Sequence, residues 1–159
     1  MVSIAQAIDA LKSASINKPE IMEAPTENQI QAAELKLGFR IPPSFRTFLA
    51  EAGAYQLPYW ETYWIGDESL GYRNIVEANM VERGESDSSL PLFLITFHNN
   101  GMGDQDCFDT RQCDANGEYK IVFWDHEISA QENLADPIVI ADDFAEWLFA
   151  EVQPQLPKS

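Results

Sequence analysis

Apolar residues recur every three to four positions through the first third of the chain, and this spacing predicts helices. The first helix is predicted over residues 3–14, with Ser3 as its N-cap. The second begins after Thr26, because the side chains of Thr26 and Gln29 can each satisfy the other's free backbone N–H. It is predicted to end at Gly38, where a left-handed residue closes the helix.

A third helix is predicted to start at Pro42-Pro43 and to end at Gly53. The period then changes, and the aromatic segment YWETYWI (59–65) predicts a strand. Alternation along that strand divides its side chains between two faces, with Tyr59, Glu61, Tyr63 and Ile65 on one and Trp60, Thr62 and Trp64 on the other.

The pattern of the second half of the chain predicts short strands between two further helices. A helix is predicted over 72–83, with Ile75, Val76, Asn79 and Met80 facing inward. Asp114 to Gly117 has the composition of a hairpin turn. The remaining predictions are strands over 92–97, 104–110, 118–124 and 138–140, and a closing helix over 143–152.

Helices therefore come first, strands lie in the middle, and one helix closes the chain. This order predicts an α+β fold with a largely antiparallel central sheet, because strand and helix do not alternate along the chain. We expect a single domain over residues 1–153 and a frayed tail over 154–159.

Charge narrows the range of partners. The 159 residues carry 26 acidic and 10 basic side chains, a formal net charge of -16. Nucleic acids and anionic membranes are disfavoured, because affinity for phosphate comes mainly from Lys and Arg. Most of the excess falls after residue 60, where the net charge is -15. This asymmetry is read either as a solvated surface that favours solubility or as an acidic face that attracts a basic partner.

Three blocks of the sequence resemble the SUKH superfamily, in the branch named after a yeast cell-wall-synthesis regulator, the killer-toxin-resistance family. The blocks are AAELKLGFRIPPSFRTFLAEAG (32–53), LITFHNNGMGDQDCFD (94–109), and the segment from VFWDHE (122–127) to IADDFAEWL (140–148). The residues that match the family's structural motif are Glu34, Gly38, Pro42, Phe45, Phe48, Gly53, Gly103, Asp104, Asp109, Asp125 and Phe144.

The resemblance implies a role class. This branch includes bacterial toxin-immunity proteins, so it implies a non-catalytic cytoplasmic protein that binds and neutralises a cognate toxin. The acidic charge suggests that the toxin domain is basic, for example a nuclease. The alternative is a regulatory or scaffold module of the cell-wall-regulator type.

Catalytic and metal-binding motifs are weak in this sequence. The segment Asp125-His126-Glu127 has no marked nucleophile beside it, so we predict no enzyme and no catalytic residue. Asp104, Asp106 and Asp109 lack the spacing of a calcium loop. A zinc cluster can be drawn from the two histidines and two cysteines, but its ligands are not paired in sequence: His98, Cys107, Cys113 and His126. We therefore predict neither metal nor cofactor.

The aromatic strand and the nearby carboxylates supply the predicted contact residues. Tyr and Trp are enriched at binding hot spots, although one face of the strand must pack on the core. The other face is either covered by the chain itself or left for a partner. The predicted partner-binding residues are Trp60, Tyr63, Trp64, Asp104, Asp106 and Asp109.

Overall fold

The computed structural model describes residues 1–156 and has the predicted α+β architecture. Its helices are α1 (Ile4–Ala14), α2 (Glu27–Leu37), α3 (Pro43–Glu51), α4 (Ile75–Glu82), α5 (Ala130–Ala135) and α6 (Phe144–Val152), with 3-10 helices at Glu68–Arg73 and Gln153–Gln155. Its strands are β1 (Ile16–Asn17), β2 (Tyr55–Gln56), β3 (Glu61–Thr62), β4 (Leu94–Asn99), β5 (Gln105–Asp109), β6 (Ile121–Trp124) and β7 (Ile138–Ala141).

The central sheet has five strands in the order β3-β4-β5-β6-β7, and every neighbouring pair is antiparallel. Strands β1 and β2 form a separate two-stranded antiparallel sheet. The turn predicted over residues 114–117 is confirmed between β5 and β6, where Gly117 adopts a φ of 81°. One face of the central sheet packs against the helices, and the other carries a smaller apolar cluster around Trp124.

Aromatic rings join the sheet to the helices, because Phe97 of β4 meets Phe144 of α6 edge-on at 5.5 Å between ring centroids. Phe97 of β4 and Phe108 of β5 lie with ring centroids 4.4 Å apart. Phe144 of α6 meets Phe45 of α3 edge-on, with a centroid distance of 5.1 Å. Rings in these arrangements stabilise a core beyond the apolar area that they bury.

The predicted caps of the first two helices are confirmed, whereas α3 ends at Glu51, with Ala52 as its C-cap, and not at Gly53. Ser3 and Thr26 are N-caps, and each forms a reciprocal capping box with the glutamine three residues later. Gly38 closes α2 in the left-handed region, with a φ of 73°. These ends were predictable because every partner lies within four residues of the cap.

The predicted strand over 59–65 is largely wrong. Only Glu61–Thr62 pairs as a strand, and Tyr63, Trp64 and Ile65 are all buried instead of alternating. Trp64 leaves the sheet to form an isolated bridge with Asn74, in which its N–H donates to the Arg73 carbonyl and its carbonyl accepts from the Ile75 N–H.

One predicted helix needs correction, and one helix of the structure was missed. The helix predicted over 72–83 begins only at Ile75, and Met80, predicted to face inward, is 46% exposed. Helix α5, capped by Ser129, was not predicted at all. Its six residues bury only Asn133, so they carry no apolar stripe that sequence analysis could detect.

The family-motif residues have structural roles. The Glu34 carboxylate accepts a hydrogen bond from the Ile41 N–H at 2.8 Å, which fixes the turn from α2 into α3. Gly53 lies so close to the Met22 carbonyl that a Cβ could not fit. Phe45 and Phe144 are fully buried. Pro42 is the N-cap residue that precedes α3.

At the end of the described chain, Gln153–Gln155 form a 3-10 helix and Leu156 packs against the core. The predicted fraying of residues 154–159 stays a prediction. The rest of the predicted tail, residues 157–159, lies outside the described residues. Within residues 1–156, none of the helices has the length and apolar character needed to cross a membrane.

Candidate partner-binding surface

Two of the three predicted aromatic contact residues belong to the core. Tyr63 is 6% exposed and its hydroxyl donates to Gln105 Oε1 at 3.2 Å. Trp64 is 3% exposed and its indole N–H donates to the Glu23 carbonyl at 2.8 Å. Neither ring can offer a face to a partner, so both are corrected from partner-binding residues to structural ones.

Trp60, the third predicted ring, is only partly accessible. It stacks on the buried Trp147 with a centroid distance of 6.0 Å and also contacts the ring of His98 at 5.4 Å. Its Nε1 is buried without a hydrogen-bond partner within the described part of the chain. Trp60 therefore mainly packs against buried rings, and only part of its side chain is open to a partner.

The exposed ring at this position is that of Tyr59. Its side chain is 97% exposed, and its backbone φ of 57° is the only positive value outside glycine among residues 1–156. A left-handed tyrosine is strained, and such strain persists only where the surrounding structure imposes it. The sequence placed Tyr59 in the aromatic segment but could not show that it would be the residue left outside.

The three predicted carboxylates do not come together. Asp104 pairs with His126, at 2.7 Å between Oδ1 and Nδ1. Asp106 is 8% exposed and accepts a hydrogen bond from the Trp147 indole. Asp109 forms an ion pair with Arg111 at 2.7 Å. Of the three, the buried Asp106 is removed from the predicted contact residues, while Asp104 and Asp109 remain at least partly exposed.

The hydrogen bond between Asp104 and His126 favours the charged form of both side chains. Burial raises the pKa of Asp104, but hydrogen bonds from His126 and Asn100 outweigh it and hold that pKa below its ordinary value. The hydrogen bond to Asp104 raises the pKa of His126. A Cβ on Gly103 would lie 3.1 Å from the His126 ring atoms, so the absence of a side chain lets the ring lie flat on the hairpin.

Asp104, Asp125 and His126 also offer ligand atoms within 4.8 Å of one another. This grouping differs from both metal sets considered in the sequence. Of the four zinc candidates, His98 and Cys107 are buried, whereas Cys113 and His126 are exposed. The hydrogen bonds within the pair already use the Asp104 oxygen that faces His126. The prediction of no metal stays a prediction.

These residues lie at one end of the central sheet, which we call the acidic end and define as residues 59–61, 99–105, 124–128 and 136–137. Its strands end here together, because Glu61 pairs with Asn99 and Gln105 pairs with Trp124. The segments contain no Lys or Arg, and their carboxylates belong to Glu61, Asp104, Asp125, Glu127 and Asp136. Tyr59 and Met102, 72% exposed, add apolar surface.

A groove adjoins the acidic end on the side of Tyr59. Its volume is about 640 Å³, and the residues that line it include Tyr55, Tyr59 and Trp60. Lys18 lies over the Trp64 ring at 5.5 Å from its centroid, and Arg73 pairs with Glu20 at 2.8 Å. The groove thus places aromatic surface, Lys18 and Arg73 next to a region that has five carboxylates and no Lys or Arg.

Beneath this surface lies a buried polar centre that sequence analysis missed. His98 is 2% exposed, and burial lowers its pKa to about 3. Burial raises the pKa of Asp106, its neighbour across β4 and β5, to about 7. Thr96 donates to Gln105 Oε1 at 2.6 Å in the same layer. The strand pattern LITFHN gave no signal that its polar residues would point inward.

Comparisons with known proteins identify the fold. The family model described as SUKH_5, SMI1-KNR4 cell-wall, matches residues 4–153. None of the curated proteins compared with the chain matches it. Solved structures do match, among them the crystal structure of a protein from Pseudomonas syringae pv. tomato. The two are 20% identical, with a TM-score of 0.62 over 91% of this chain and 92% of that chain. At this identity the likeness concerns the fold alone.

Proposed function

The chain belongs to the SMI1-KNR4 cell-wall family of the SUKH superfamily, and from that membership we propose that it is a non-catalytic immunity protein. Its partner is a basic toxin domain, such as a nuclease, which it binds and neutralises. The observation that carries this proposal is the acidic end, which has five carboxylates and no Lys or Arg. A surface of one sign attracts a partner of the opposite sign and raises the rate of association.

The exposed apolar groups within the acidic end support binding rather than solubility alone. Tyr59 and Met102 stand out among the carboxylates with 97% and 72% of their surface accessible. Charged groups at an interface rim mainly set the association rate, whereas a buried aromatic ring supplies affinity. The acidic end offers both kinds of group side by side.

The runner-up function is a regulatory or scaffold module of a cell-wall assembly pathway. The description of the matching family, SMI1-KNR4 cell-wall, favours it. Such a module would bind a protein without abolishing a toxic activity. The two functions therefore differ in what happens to a cell that makes the partner.

The test uses the protein encoded by the adjacent gene as the candidate toxin. Surface plasmon resonance of the two purified proteins should give an association rate that falls steeply between 0.01 M and 0.15 M salt, because the Debye length shrinks from about 30 Å to about 8 Å. Co-expression should rescue a host that the partner alone kills. An unrelated basic protein of matched size and charge is the control. An association rate that does not change with salt contradicts the role of the acidic end, and binding without rescue favours the regulatory module.

A further inference from the structure

Strand β7 lies at the edge of the central sheet and carries exposed apolar side chains. Residues 134–140 are all exposed, and within them Ile138, Val139 and Ile140 retain 54%, 51% and 41% of their accessible surface. β7 is the last strand of the central sheet, and within residues 1–156 no strand pairs with its outer edge. We propose that this edge is the docking site for an extended segment of a basic protein partner, which adds to the sheet as a sixth strand.

An exposed apolar edge strand can pair with other chains and cause aggregation if no partner covers it. Edge strands carry free backbone N–H and C=O groups, and most are protected by charged side chains, proline or a covering element. The strand segment PIVIA (137–141) has a proline only at its start and no charge. An added strand would satisfy those backbone groups and cover the apolar side chains on both faces.

The register of β7 shows what an added strand would cover. Val139 lies opposite Val122, whose side chain belongs to the smaller apolar cluster on the sheet face away from the main core. Ile138 lies opposite Phe123, and Ala141 opposite the buried Ile121. The edge therefore continues two existing apolar surfaces outward, so a partner strand would extend packing that already exists.

Charge decides which occupant fits. The segment LADPIVIADD (134–143) carries Asp136, Asp142 and Asp143 and no basic residue. If two copies paired antiparallel about Val139, Asp136 of each would lie opposite Asp142 of the other, and two-fold symmetry would repeat that repulsion. A partner strand with an apolar centre and Lys or Arg at its ends meets both carboxylates with opposite charge.

The edge is continuous with the acidic end. Asp125 follows β6, and Ile138 pairs with Phe123, so the start of β7 lies beside Asp125 at the same end of the sheet. A basic partner attracted by the acidic end would reach the β7 edge without reorientation. The inference rests on the proposed function and specifies how the partner is held.

The test compares two variants with the same change in charge. Val139→Glu places a carboxylate in the middle of the docking edge, and Leu35→Glu places one on α2, at a side chain that is 86% exposed. Against the adjacent-gene protein, Val139→Glu should raise Kd about tenfold or more, chiefly through faster dissociation. Leu35→Glu should stay within about twofold of the wild type. Unchanged melting temperatures establish that both variants fold.

A second pair of variants tests the flanking charges. Asp136→Asn with Asp142→Asn should slow association at low salt, whereas the matched double variant Asp9→Asn with Glu51→Gln should slow it less. Hydrogen exchange adds a readout that needs no substitution. The amides of residues 138–140 should become protected when the partner is bound.

The possible outcomes are distinguishable. If the wild type binds and Val139→Glu binds equally well, or protection is confined to residues 59–61 and 99–105, the docking edge is wrong while the proposed function stands. If sedimentation shows a dimer that Val139→Glu dissociates, a second copy occupies the edge and the proposal of a basic partner there is overturned. If the wild type does not bind the adjacent-gene protein, the proposed function and the docking edge fall together.

Discussion

Trp147 donates its indole N–H to a carboxylate oxygen of Asp106 across 3.0 Å, and this bond ties helix α6 to strand β5. The two residues are 2% and 8% exposed. Burial raises the pKa of Asp106 to about 7; the bond from Trp147 lowers it, and the nearby carboxylates of Glu151 and Asp104 raise it. Sheet and helix are therefore joined through a carboxyl group that titrates near neutral pH.

Replacing this carboxyl group should change how stability depends on pH. The folded protein keeps a proton on Asp106 up to pH of about 7, whereas the unfolded chain releases it near 3.8, so this group makes the wild type lose stability as pH rises between those values. Asp106→Asn retains an oxygen acceptor for Trp147 but does not titrate. The free energy of unfolding of the variant, minus that of the wild type, should therefore increase by a few kcal/mol from pH 4 to pH 8. The scale is about 1.4 kcal/mol per unit of pKa difference. Denaturant titrations at the two pH values measure this difference.

The same variant should reveal the opposite effect of His98. Burial lowers the pKa of His98 from 6.5 to about 3, so only the unfolded chain binds that proton and the native protein loses stability as pH falls through this range. In the wild type, Asp106 and His98 act against each other between about pH 4 and 6.5. With Asp106 replaced, the free energy of unfolding should rise with pH over that interval. A pH dependence equal to that of the wild type would contradict the assignment of Asp106, and a free energy of unfolding that does not rise with pH in the variant would contradict that of His98.

Gly38 provides a test of the α2 cap. A Cβ built there meets no atom within 4 Å, so a side chain would be strained only by the φ of 73°. Gly38→Val should lower the free energy of unfolding by about 1–2 kcal/mol, because a β-branched residue resists the left-handed region. Gly38→Asn, which tolerates that conformation better, should cost less. Equal denaturant midpoints for the valine variant and the wild type would show that the cap is wrongly assigned.

The ion pair at the acidic end can be followed through His126. Its pKa is raised chiefly by the hydrogen bond with Asp104. Asp104→Asn should therefore lower the His126 pKa toward the ordinary value of 6.5, as measured by NMR titration of the ring protons. The matched control is Asp109→Asn, because Asp109 pairs with Arg111 instead and its loss should leave His126 unchanged. The pairing would be refuted by equal His126 shifts in the two variants.

Tyr59 replaces the tryptophans as the ring to test for partner binding. Tyr59→Ala should speed dissociation from the adjacent-gene protein and cost roughly 2 kcal/mol of binding, the scale of an aromatic hot spot. Tyr72→Ala is the matched control, since Tyr72 is also exposed, at 80%, but lies in the 3-10 helix before α4. Both variants should keep the wild-type melting temperature. Equal losses of affinity in the two would show that the acidic end has no special role.

The sequence alone determined the three N-terminal helices and the caps of the first two. The capping boxes of Ser3 and Thr26 and the left-handed Gly38 were predictable, because each depends on groups three or four residues away. The closing helix was predictable for the same reason, with Asp143 accepting a hydrogen bond from the N–H of Glu146. The family resemblance and the acidic charge were likewise present in the sequence.

Tertiary structure decided which residues reach the surface. Alternation placed Tyr63 and Trp64 on opposite faces of one strand, yet both are buried, because Tyr63 bonds to Phe97 of β4 while Trp64 turns toward Asn74. Asp104 and Asp106 are two positions apart, a spacing that places side chains on one face of an extended strand, yet Asp104 meets His126 and Asp106 meets Trp147. The contact partners that determine where these side chains lie are about 10 to 41 positions away in the chain.

The exposure of strand β7 could not be predicted from the local sequence. The run Ile138 to Ile140 predicts a strand, and a strand formed. Whether such a strand is central or lies at an edge depends on the order of strands in the sheet, which no local pattern contains. Hydrophobic periodicity therefore determined that these residues are extended, and only the position of β7 as the last strand left them exposed.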